Sequence, residues 1–144
     1  MVDVLTEIII KCPISKVSEY AINPDHAPEW YVNIQSVEWK TPKTLTKGSQ
    51  IAFKAKFLGR ELAYVYEIVE FIPDKKFVMK TADGPFPMET IYTWQAIDEN
   101  HTRMTLRNRG NPTGFNKILS LFMPYMMRRA NMKDLKNIKA ILEV

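Results

Sequence analysis

The chain has 144 residues, 46% of them hydrophobic and 25% charged, which is enough for one domain spanning 1–144 with a real core. It holds no apolar run of about 18 residues, and its opening MVDVLTEIIIKCP places an acid rather than a basic segment before a short apolar stretch, so neither an anchor nor a signal peptide is expected. The formal charge is +4, yet residues 1–115 balance 14 basic against 14 acidic side chains, so the whole excess falls in the last segment.

That segment sets Lys117, Arg128, Arg129, Lys133, Lys136 and Lys139 against Asp134 and Glu143. Such a stretch suits an acidic partner, a membrane surface or nucleic acid, and its plainest reading is a solvated helix face. No recognition motif accompanies these charges or Arg103, Arg107 and Arg109, so nucleic acid is not expected as a partner. Cys12 is the lone cysteine and has no Cys or His at ligand spacing, which predicts neither a disulfide nor a metal site and fits a reducing cytoplasm.

In chain order, Val2, Val4, Thr6, Ile8 and Ile10 share one parity and predict a first strand with one buried face. Pro13 ends it. Ser15 is a candidate N-cap for a short helix through Val17, Tyr20 and Ala21, and Asn23-Pro24-Asp25 separates this from a brief helical turn over His26 to Trp30. From Ile34 the period returns to two, with breaks near Pro42–Gly48, Leu58–Arg60, Pro73–Lys75, Asp83–Pro85 and Asp98–Asn100 that delimit six more strands. Short connections favour antiparallel neighbours, hence a meander. Beyond GNPTG, Phe115 to Leu142 reads as a helix with Met127, Asn131, Leu135, Ile138 and Leu142 on one face, Thr113 or Asn111 as its cap, and a kink or break at Pro124.

The fold class is therefore α+β: a seven-stranded curved antiparallel sheet, two short helices and a long C-terminal helix. A twisted sheet curls, and a straight helix laid across its concave face touches the rims more closely than the middle. An apolar cavity is expected between them. Phe53, Phe57, Tyr64, Tyr66, Met79, Thr90, Tyr92, Trp94 and Met104 are its candidate lining from the sheet, with Met123 and Met127 as an adaptable wall from the helix. Asn108 and Asn131 are polar residues on otherwise apolar faces and must find partners if buried. Glu70 shares parity with Tyr66 and Ile68 and is the candidate acid or base, since burial beside aromatic rings raises a carboxyl.

The element order and several local strings resemble the SRPBCC or START-like superfamily, most closely its polyketide cyclase/dehydrase and coenzyme Q-binding-like branch. The strings are IIIKCPISKVSEY, NPDHAPEW leading to SVEW, YEIVEFIPDKKF, DENHTRMTL and GNPTGF. The resemblance implies a helix-grip fold with a hydrophobic tunnel for lipids, polyketides or quinone-like molecules, and no single activity, since fold does not fix function.

The chain shows no phosphate-binding glycine pattern, nucleophile elbow, HExxH or paired Cys-x-x-Cys, and His26 and His101 are too far apart in the pattern to suggest a shared metal. No cofactor is expected. The leading expectation is noncatalytic binding of an apolar small molecule. The alternatives are a cyclase or aromatase assisted by tyrosines and Glu70, and a lipid or quinone carrier that docks on membrane through the basic helix.

Overall fold

The computed structural model describes residues 2–57, 59–111 and 117–144. Strand β1 (Val2–Ile10) leads through α1 (Ile14–Ile22), a 3-10 turn (Pro24–His26) and α2 (Ala27–Trp30) into β2 (Ile34–Trp39), β3 (Gln50–Phe57), β4 (Arg60–Ile72), β5 (Lys76–Asp83), β6 (Met88–Asp98) and β7 (His101–Gly110), and the chain closes with α3 (Lys117–Leu142). The strands form one antiparallel sheet in the order β1-β7-β6-β5-β4-β3-β2. β2 to β7 is a plain meander, and β1 adds to its far end beside β7. β1 and β2 thus occupy opposite edges, so α1 and α2 must carry the chain across the sheet's full width.

The helix-grip architecture follows from the alternation read in the sequence. β7 shows it most simply: Thr102, Met104, Leu106 and Asn108 face inward, while Arg103, Arg107 and Arg109 face out. Arg107 meets Asp3 of β1 and Arg109 meets Glu89 of β6, which are cross-strand pairs on the convex face. The main core gathers Ile10, Trp30, Ile51, Ile68, Phe77, Met104, Leu106, Leu135 and Ile138, all essentially inaccessible to solvent.

One local expectation is corrected, and one of two alternatives at another position is removed. α1 begins at Ile14 behind Pro13 and has no side-chain cap, so Ser15 lies inside the first turn. Proline at the helix boundary supplies the fixed φ that a cap residue otherwise has to stabilise. α3 does not break at Pro124, which sits within the continuous helix; the lost N–H removes a single bond on an exposed stretch. Thr113 and the expected helix start at Phe115 lie outside the described residues, which on this side of the gap begin with Lys117.

α3 is fastened along its second half. Leu135 and Ile138 enter the core, Asn137 Nδ2 donates to Trp30 O at 3.2 Å, and Val32 N donates to Asp134 Oδ1 at 2.9 Å. Basic side chains add a second row: Arg128 Nη1 donates to Leu5 O at 3.1 Å and Lys139 Nζ to Ile9 O at 2.9 Å. These carbonyls belong to edge strand β1, so part of the helix's charge blunts an edge that is otherwise free to pair with another chain.

Met104 has no solvent exposure and belongs to the main core, so Met104→Ala is expected to destabilise the fold by about 2–5 kcal/mol. Urea unfolding checks this, with a lowered midpoint and an unchanged slope as the expected result.

Candidate functional site

The inward rows of β3 to β7 and the middle of α3 enclose a partly open cavity of about 170 Å³. A dry cavity of roughly 150 Å³ accommodates a benzene-sized ring, so this space is more than a packing defect. Its walls are mainly apolar. β3 supplies Phe53, Ala55 and Phe57; β4 supplies Leu62, Tyr64 and Tyr66; β5 supplies Phe77 and Met79. Thr90 and Tyr92 come from β6, Asn108 from β7, and Met123, Met127, Ala130, Asn131 and Asp134 from α3.

The candidates Phe53, Phe57, Tyr64, Tyr66, Met79, Thr90, Tyr92, Asn108, Met123, Met127 and Asn131 all border this cavity. Three others do not. Trp94 and Met104 have the correct parity but lie further along β6 and β7, paired with each other across the two strands and packed into the main core. Parity assigns a face of the sheet; where along that face the space stays open depends on where the helices press.

Glu70 is corrected for a different reason. The pairing of β4 with β5 steps from Ile68↔Met79 to Glu70↔Val78 and then Phe71↔Phe77, so an extra residue bulges from β4. A bulge reverses the inside-outside count beyond it. Glu70 consequently points away from the cavity, with its side chain 42% exposed and its carboxylate 3.2 Å from Lys76 Nζ.

The carboxyl that does enter the cavity is Asp134, which is 3% exposed. Burial pushes its pKa up to about 7, against the hydrogen bond from Val32 N, which favours the ionised form. In the sequence it counted only as one of two acids on a basic helix. The readable signal was its spacing of three from Asn131, which puts both on one helix face. Tyr31, also missed, hydrogen-bonds through its hydroxyl to the hydroxyl of Tyr92. Burial raises the pKa of both tyrosines and that of Tyr66, the last to about 12, so all three are neutral donors in the working range.

Three further polar side chains of the lining form a chain. Thr90 Oγ1 donates to Asn108 Oδ1 at 2.7 Å, and Asn108 Nδ2 donates to Asn131 Oδ1 at 3.1 Å. Asn131 Nδ2 is buried and has no partner. Other missed lining residues come from the end of α1 and the turn after it (Ala21 to Pro24), from α2 (Ala27), from strand ends and connections (Asn33, Ile34, Phe86, Met88), and from within β3, β4, β5 and α3 (Ala55, Leu62, Phe77, Ala130). One of those connections also fixes an aromatic wall: a Cβ on Gly84 would stand 2.6 Å from the ring of Tyr64, so the turn closes on that ring only with glycine there.

Neither histidine reaches the cavity lining. His26 stacks on Tyr20 with ring centroids 4.3 Å apart, and His101 pairs with Asp98 at 2.8 Å in the β6–β7 turn. Among the described residues no group of three His, Cys, Asp or Glu side chains gathers to hold a metal ion, and no helix is long and apolar enough to cross a membrane.

Comparison with known proteins agrees with this architecture. The family model described as polyketide cyclase/dehydrase and lipid transport matches residues 1–143. No curated protein matches the chain in sequence. Among solved structures, the Zhui aromatase/cyclase from Streptomyces sp. R1128 is similar with a TM-score of 0.82 at 11% identity, covering 98% of this chain and 93% of its own. A START superfamily protein from Mycobacterium smegmatis gives 0.81 at 9% identity with 98% and 97% covered, and TTHA0849 from Thermus thermophilus gives 0.81 at 17% with 96% and 94% covered. At these identities the likeness is one of fold.

Asp134 also makes a stability prediction. Between its ordinary pKa of 3.8 and about 7 the folded chain keeps a proton that the unfolded chain has released, so this residue's contribution to stability falls as pH rises through that window and levels above it. Asp134→Asn keeps an acceptor for Val32 and removes the charge. Its melting temperature should match the unsubstituted protein near pH 4 and exceed it at pH 8, by an amount on the order of 2–4 kcal/mol in stability. Thermal melts across that range are the check.

Proposed function

We propose a binding role for this chain, which belongs to the polyketide cyclase/dehydrase and lipid-transport family: it holds an apolar small molecule of lipid, polyketide or quinone-like type in the cavity between sheet and α3, without acting on it. The observation that carries this reading is an aromatic and methionine-lined cavity whose polar groups are few and clustered, the usual form of a small-molecule site. The START superfamily and aromatase/cyclase neighbours add that this fold occurs among proteins so named. A single domain over 1–144 and a cytoplasmic setting, consistent with the free and buried Cys12, complete the reading.

A cyclase-type alternative can no longer rest on Glu70, which faces solvent, and passes to Asp134 as its carboxyl. Turnover of a polyketide substrate that is lost in Asp134→Asn, while affinity is kept, would favour it over passive binding.

A membrane-docking carrier is favoured by one observation of its own. Ile118, Leu121, Phe122 and Tyr125 follow the helical spacing i, i+3, i+4, i+7 and are each more than half exposed. The same face continues into Arg129, Lys133 and Lys136, as an interfacial helix needs for an anionic bilayer.

Nile red, a neutral fluorescent probe, is expected to bind the purified protein, and Ala130→Phe, which fills the cavity from α3, should weaken it at least tenfold without lowering the melting temperature. Equal binding by both proteins would remove the cavity as the site. For the docking reading, flotation with phosphatidylserine-containing vesicles should succeed at low salt and fail at high salt or with Phe122→Asp. Failure at both salt concentrations would sink it.

A further inference from the structure

The proposed binding role leaves the class of ligand open, and two features of the cavity narrow it. The first is the direction of the Thr90–Asn108–Asn131 chain. Both amide oxygens in it receive a hydrogen from the residue before, so the chain terminates in an N–H rather than in a carbonyl. That last donor, Nδ2 of Asn131, has no partner although the residue is 5% exposed and borders the cavity. Of the three buried side-chain donors without a partner among the described residues, Trp30 Nε1, Trp94 Nε1 and Asn131 Nδ2, only the last borders the cavity; since buried donors are nearly always satisfied, it is here that an acceptor has room to enter.

The second feature is charge. Among the described lining residues there is no Lys, Arg or His, and the one carboxyl is Asp134, a single helical turn beyond Asn131. A fatty acid entering with its carboxylate toward Asn131 would lose its water, find no cation, and meet a second acidic group. A ketone, quinone or ester oxygen meets none of these costs and supplies the missing acceptor.

We propose that this cavity selects uncharged apolar molecules bearing a carbonyl-type oxygen, which accepts a hydrogen bond from Asn131 Nδ2, and that it discriminates against carboxylates of the same length. Asn131 acts here as the specificity-determining donor and Asp134 as the group that repels an anionic end.

The test is competition against Nile red on the full chain at a pH above neutrality, with methyl nonyl ketone, undecane and undecanoic acid, which share chain length and differ at one end. The ketone should compete about tenfold better than undecane, as one buried hydrogen bond requires, and undecanoate should compete least. In Asn131→Leu, similar in size but without the N–H, ketone and alkane should fall within about twofold of each other. Asp134→Asn should bring undecanoate several-fold closer to the ketone, read as the ratio of the two competitors within that variant, which keeps the proposal testable if the leucine variant does not fold. Equal competition by ketone and alkane in the unsubstituted protein overturns the proposal and leaves a trapped water as the partner of Asn131. A ketone preference that survives in Asn131→Leu overturns it as well. If Nile red itself does not bind, the binding role falls and this inference with it.

Discussion

The attachment of α3 by its second half is the constraint on which the other features depend. Leu135 and Ile138 sit in the core, Asp134 and Asn137 are tied to the chain around α2, and Lys139 is tied to the edge of β1. These contacts fix the helix close to one part of the sheet. The first half of α3 is held at the sheet's rim, where Met123 packs with Val2 and Val4 of β1 and Met127 packs against them, and from there Met123, Met127 and Asn131 also border the cavity over the sheet's middle. The cavity is therefore a product of geometry, not of a shortage of apolar residues.

The same placement sorts the polar groups. Asn131 and Asp134 lie on the helix face turned toward the sheet, where burial raises the carboxyl's pKa and the amide Nδ2 has no side-chain or backbone partner. The cations lie elsewhere on the helix. Arg128 and Lys139 close the edge of β1, so the net charge of the segment is partly structural and overstates what is free for a partner. The exposed apolar residues Ile118, Leu121, Phe122 and Tyr125 lie on a different side of α3 from Met123, which is buried against Val2 and Val4.

Membership of the family and the shared fold leave function open, since neighbours as different as a START superfamily protein and an aromatase/cyclase superpose on this chain at 9% and 11% identity. What can be read for this chain is its own cavity chemistry: neutral tyrosines, one raised carboxyl, an amide chain that ends in a donor, and no basic lining residue among those described.

Strand number, antiparallel pairing, the breaks between strands and the long closing helix were legible in the sequence, because period two, period 3.6 and turn residues are local properties of the chain. Parity also placed Phe53, Tyr64, Tyr66, Thr90, Tyr92 and Asn108 on the concave face. Three things required the tertiary structure. The bulge at Val69 reversed Glu70, since a bulge is set by pairing with β5 and leaves no mark in β4's own pattern. Trp94 and Met104 are enclosed in the main core while Thr90 and Asn108 border the cavity, since where along one face of the sheet other elements pack is a tertiary property that parity does not carry. Asp134 became the cavity's carboxyl because burial, which gives it its character, belongs to the neighbours that surround it and not to its position in a charged stretch.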